Sequence, residues 1–138
     1  MSKTIPEIED EIVEEFDLFD DPMEKYEYII DLGKKLPPLD EKYTSEDYLV
    51  KGCQSKVWLH SYKKGDQLYF EADSNSTITK GMIALLIRVL SGQKPNDILN
   101  SPLGFVDRIN LRSHLSSQRS NGLTSMIQKM KAYAAAFT

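Results

Sequence analysis

Few side chains in this sequence have the chemistry to react. Cys53 is its one cysteine, and His60 and His114 are its two histidines. A thiol and an imidazole can work as nucleophile and base when the base lies within reach and a third group orients it. Spacing along the chain does not decide reach, so a stand-alone Cys-His enzyme using His60 or His114 stays open at this point. A metal site made of Cys53, His60 and His114 has less behind it, since three scattered residues lack the short ligand spacing of zinc motifs. The immediate neighbours of Cys53 are Gly52, Gln54 and Ser55, a small polar loop between predicted strands. A lone cysteine often serves as a small buried hydrophobe. A loop held by a rigid sheet, however, is where reactive groups tend to sit.

The elements that must position this thiol can be read from the pattern of apolar residues. With 138 residues, 41% hydrophobic and 28% charged, the chain fits one globular domain over residues 1–138. Thr4 and Glu7 have the spacing of a capping box, and Ile8, Ile12, Phe16 and Phe19 then share one face, predicting a helix over 5–18. Asp21-Pro22 opens a second helix that Pro37-Pro38 closes. From Tyr48 the period changes to two, which predicts three antiparallel strands at about 48–51, 56–62 and 67–73, with a turn at Lys64-Gly65-Asp66. Gly52 and Cys53 fall between the first two. The helical period returns over Thr77–Leu90, where the residues are apolar nearly all round. Short helical pieces follow at 95–99 and 104–109. A last helix carries Leu123, Met126, Ile127, Met130, Ala134 and Phe137. The expected fold is α+β: two N-terminal helices, a three-stranded antiparallel sheet, and C-terminal helices packed on it.

Composition removes several function classes. The longest apolar run, Met82 to Ile87, is too short to cross a bilayer, and the acidic start does not resemble a secretory signal. One cysteine allows no internal disulfide, which fits a reducing compartment, expected to be the cytoplasm. Residues 1–24 hold ten acidic side chains against Lys3 alone, whereas the rest of the chain holds eleven against sixteen basic ones, so the formal net charge of −4 divides into −9 and +5. That acid is either a solvated helix face or a means of steering toward a basic partner. No basic excess overall, phosphate-cradling loop or paired-cysteine spacing points to nucleic acid, nucleotide or zinc.

Around the cysteine the residues form a recognisable signature. Val50-Lys51-Gly52-Cys53-Gln54-Ser55-Lys56-Val57-Trp58 resembles the cysteine block of the SufE family of sulfur-acceptor proteins. Further blocks follow in the family's order: Asp73-Ser74, Thr79-Lys80-Gly81-Met82-Ile83-Ala84, His114-Leu115-Ser116, and Ser117-Gln118-Arg119-Ser120-Asn121-Gly122-Leu123. Upstream, Lys25 to Gly33 with Leu36-Pro37 is similar to the family's early helix. The resemblance covers roughly residues 20–137, leaving the acidic 1–19 segment outside it.

The resemblance implies an α+β fold and a persulfide carrier rather than a stand-alone enzyme. Cys53 would take sulfane sulfur from a cysteine desulfurase of the SufS-like or CsdA-like kind, stimulate that enzyme, and pass sulfur to an iron–sulfur scaffold complex. Gly52, Gln54 and Ser55 would shape the loop, while Asp73 and Arg119 would support the thiolate or contact the partner. The chemistry is consistent with this, because a lone thiol can accept sulfur but cannot discharge it by closing an internal disulfide. One cysteine cannot ligate an iron–sulfur cluster, so a scaffold role for the single chain is excluded. No cofactor is expected here, pyridoxal phosphate belonging to the desulfurase. A module that activates the desulfurase without carrying sulfur is the alternative. A further expectation is that the Gly52 loop shields the thiol until a partner docks.

Overall fold

The structure, a computed structural model, describes residues 3–138, and residues 1 and 2 of the expected domain lie outside the described residues. Helix α1 spans Ile5–Asp17 and begins with the predicted capping box, Thr4 accepting from the Glu7 amide and Glu7 reaching back to the Thr4 amide. Helix α2 spans Pro22–Lys34, and the Asp21 carboxylate accepts from the Met23 amide 2.9 Å away. Strands β1 (Val57–Lys64) and β2 (Gln67–Ser74) pair antiparallel in a register that sets Trp58 against Asp73 and His60 against Glu71. Helix α3 (Thr77–Leu90) follows, capped by Ser76. Short helices α4 (Pro95–Asn100) and α5 (Phe105–Arg108) lead to the long α6 (Ser117–Ala136).

The predicted strand at 48–51 is corrected: the regular sheet has two strands. Tyr48 ends a short 3-10 turn, Leu49 forms one isolated bridge with Trp58, and the Val50 amide donates to the Val57 carbonyl at 2.8 Å. Gly52, at φ +92°, then turns the chain away before further rungs can form. The last helix also begins before Leu123, its first apolar residue. Residues from Ser117 onward are helical, because the Ser116 hydroxyl accepts from the Arg119 amide and caps α6.

The core lies between one face of the hairpin and the helices. Val57, Leu59, Leu68, Phe70 and Ala72 point inward as the alternation predicts, and α3 buries ten of its fourteen residues against them and against α2. Helices α2 and α3 meet at two glycines. A Cβ on Gly33 would stand 2.6 Å from the Gly81 amide, and a Cβ on Gly81 would overlap the Ile29 carbonyl, so the two backbones touch. From α6, Met126 and Met130 fill the core, and Tyr133 donates its hydroxyl proton to the Leu59 carbonyl at 2.9 Å. Much of the N-terminal acid is engaged within the fold. Glu15 makes a two-pronged ion pair with Arg88, Asp10 pairs with Arg108 at 2.8 Å, and Glu9 accepts from the Phe105 amide at 2.8 Å. No helix among the described residues is long and apolar enough to cross a membrane.

Candidate functional site

The cysteine loop, residues 51–56, is closed at its base by the Val50–Val57 hydrogen bond. Its far end is tied to the corner between β2 and α3, where the Lys56 amide donates to Asn75 Oδ1 at 3.0 Å and the Lys56 carbonyl accepts from the Ser74 hydroxyl at 2.7 Å. Between these anchors the loop leans on α6 at two glycines. A Cβ on Gly52 would stand 2.5 Å from Ser125 Oγ, and a Cβ on Gly122 would stand 3.4 Å from Cys53 Sγ. The thiol is half-buried and lies 3.5 Å from the Gly122 carbonyl, to which it donates. Burial pushes the Cys53 thiol above its ordinary pKa, so the resting loop holds sulfur as S–H.

Cys53, Ser55, Thr79, Met82, Arg119 and Gly122 are among the residues that line one narrow crevice, whose free volume is about 10 Å³. Arg119 brings a guanidinium to this wall, and its Nε is buried with no hydrogen-bond partner. An orphaned N–H on a charged group costs free energy unless something accepts it. The structure thus brings Gly52, Cys53, Gln54, Ser55 and Arg119 together. Asp73 is placed differently. Its carboxylate accepts from the Ser74 amide at 2.8 Å and pairs with Lys80 at 3.3 Å, so it secures the corner that holds Lys56 rather than lining the crevice.

Neither histidine joins the thiol. The His60 ring stacks on Tyr43 and meets Glu71 on the outer face of the hairpin, while His114 closes a 3-10 turn and is held below its ordinary pKa by burial and by the charge of Lys25. Both are absent from the crevice lining, and no cluster of metal-ligating side chains occurs among the described residues. Met82 and Met126, both buried in the core, also line the crevice. The pairing of Gly52 with Ser125 had no signal in the sequence beyond the glycine itself.

Residues 10–134 match the family profile described as "SufE: Fe-S metabolism associated domain". The chain belongs to the SufE family. A SufE-like protein of Rhizobium meliloti, described as uncharacterised, is 38% identical over 130 residues, covering 91% of this chain and 93% of that one. A SufE-like protein of Synechocystis is 32% identical over 97% of this chain and 84% of its own. "SufE-like protein 1, chloroplastic/mitochondrial" of Arabidopsis thaliana is 38% identical over 90% of this chain, which spans only 34% of that longer protein. Among solved structures, that of a hypothetical protein from Thermus thermophilus superposes with a TM-score of 0.78 at 20% identity, covering 94% of this chain and 95% of its own, a likeness of fold. Membership in SufE connects the chain with iron–sulfur metabolism.

Proposed function

We propose that this SufE-family protein is a sulfur acceptor that carries sulfane sulfur as a persulfide on Cys53. The Cys53 thiolate attacks the terminal sulfur of a persulfide on a cysteine desulfurase. A new S–S bond forms to Cys53, the S–S bond in the donor breaks, and the donor leaves as a thiolate, so nothing is oxidised or reduced overall. Clearing the donor in this way stimulates the desulfurase. The charged sulfur then passes to a scaffold complex that assembles iron–sulfur clusters. Pyridoxal phosphate is assigned to the desulfurase, and the cytoplasm suits a carrier whose one thiol must stay reduced.

The observation that carries this reading is the sharing of one crevice by the sole cysteine and the unpartnered Arg119 Nε. A guanidinium there supports an anionic sulfur, whether thiolate or persulfide. The test is the intact mass of the protein after incubation with an active cysteine desulfurase and free cysteine. A gain of one sulfur atom is expected, reversible by reductant and absent in Cys53→Ser. The second reading, an activator that carries no sulfur, draws on the half-buried, protonated thiol of the resting loop. It requires Cys53→Ser to stimulate the desulfurase as well as the parent does.

A further inference from the structure

The segment that delivers the chain to the cysteine loop is not held by a sheet. Residues 40–48 make two 3-10 turns, and their aromatic side chains converge on one residue of the hairpin. Tyr43 stacks on the His60 ring with centroids 3.6 Å apart and planes 10° from parallel. Tyr48 meets His60 edge-on at 5.7 Å, and Tyr43 and Tyr48 meet each other edge-on at 5.1 Å. His60 is itself fixed from the far side, its Nδ1 lying 2.9 Å from Glu71 Oε1, and only 16% of its side chain is exposed. Immediately after Tyr48 come the Leu49–Trp58 bridge and the Val50–Val57 hydrogen bond that close the loop.

From this geometry we infer that His60 is a positioning residue for Cys53, acting through Tyr43 and Tyr48 as a clamp on the upstream end of the loop. The downstream end is tied to Ser74 and Asn75 by backbone and side-chain hydrogen bonds. The upstream end has one backbone link, the Val50–Val57 hydrogen bond of the Leu49–Trp58 bridge, and the three-ring cluster braces it against the rigid hairpin. Releasing the cluster lets the loop lengthen backward past Leu49 toward residue 40. A longer mobile loop has more conformations in which the thiol leaves the Gly122 carbonyl. His60 faces away from the core, on the opposite side of β1 from Leu59, so the clamp can be cut while the core stays packed.

The inference rests on Cys53 being the thiol whose exposure matters, which is the carrier reading, but its test needs no desulfurase. The rate at which iodoacetamide alkylates Cys53 is measured on the free, full-length protein, with global stability measured in parallel from Trp58 fluorescence in urea. An aromatic stack of this kind predicts about three- to tenfold faster alkylation in His60→Ala and in Tyr43→Ala. The double variant should gain less than the two single gains combined, because both single variants cut the Tyr43–His60 stack. His60→Phe restores a ring for Tyr43 and should bring the rate back close to that of the parent. Parental reactivity in His60→Ala, a His60→Phe as fast as His60→Ala, additive effects, or a rise fully accounted for by lost global stability would each overturn the clamp. If Cys53 takes no sulfur yet these rates hold, the carrier function fails and the clamp stands. Sulfur uptake with unmoved rates gives the reverse.

Discussion

Cys53 Sγ rests 3.5 Å from the carbonyl oxygen of Gly122, on a face of α6 where that residue has no side chain. The sulfur is therefore seated by an absence, and what replaces it can be graded. A methyl at Gly122 would meet Sγ at 3.4 Å and the Cys53 Cα at 3.7 Å, which are ordinary contact distances. Gly122→Ala should therefore stabilise the protein by about 0.5–1 kcal/mol in urea unfolding, the usual gain of alanine over glycine inside a helix. Gly122→Leu cannot fit beside the sulfur, and faster alkylation of Cys53 is expected. Equal alkylation rates in the two variants would show that the loop does not rest on this seat.

Gly81 is the opposite case. Its Cβ would overlap the Ile29 carbonyl, a backbone atom of another helix that cannot turn aside. Gly81→Ala should cost about 3 kcal/mol or more, as severe overpacking does, and be visible as a large drop in the urea midpoint.

The pH dependence of Cys53 follows from its burial. Burial penalises the thiolate, so the folded pKa is raised and the alkylation rate of the native protein should climb through a midpoint above the ordinary cysteine value. In unfolding concentrations of urea the midpoint should return to that value. The sign for stability is fixed by the same shift. The preference of the fold for S–H contributes fully below the unfolded pKa and is lost as pH rises through the folded one. Cys53→Ser should flatten this part of the stability profile.

Arg119 should separate stability from transfer. Its buried Nε has no partner in the resting protein, so Arg119→Met should leave urea stability within about 0.5 kcal/mol of the parent. Desulfurase-dependent sulfur uptake should fall by about tenfold or more, the worth of a charge-assisted hydrogen bond to an anionic sulfur. Arg119→Lys keeps the charge but loses the planar N–H fork, and should recover only part of the rate. Undiminished uptake in Arg119→Met would assign the guanidinium a purely structural place.

How far these features could be read beforehand depended on the range of the forces behind them. The Thr4–Glu7 box, the Asp21 cap and the Thr77–Leu90 helix were legible because each is decided within a few neighbouring residues. The strand expected at 48–51 failed on a longer-range effect: Tyr48 is spent on Tyr43 and His60, leaving Leu49 and Val50 to pair alone. Cys53 and Arg119 line one crevice, a pairing across sixty-six residues that no local pattern displays. Asp73 did not line it, since the nearby charge of Lys80 in the first turn of α3 holds its carboxylate at the corner. Of the N-terminal acids, Glu9 and Glu15 serve partners elsewhere in the fold, and Asp10 makes an exposed pair with Arg108.

The meeting of α2 and α3 at Gly33 and Gly81 bears on where motion can arise. Side chains can change rotamer and let packed helices slide, but two backbones in direct contact have nothing to rearrange. Thr79 and Met82, which form part of the crevice wall, flank Gly81 on α3. That wall is mechanically continuous with the helix crossing and moves only if the crossing comes apart. On the proposed carrier function, bringing the Cys53 sulfur to another molecule thus falls to the loop rather than to α3, an arm working against a fixed anvil.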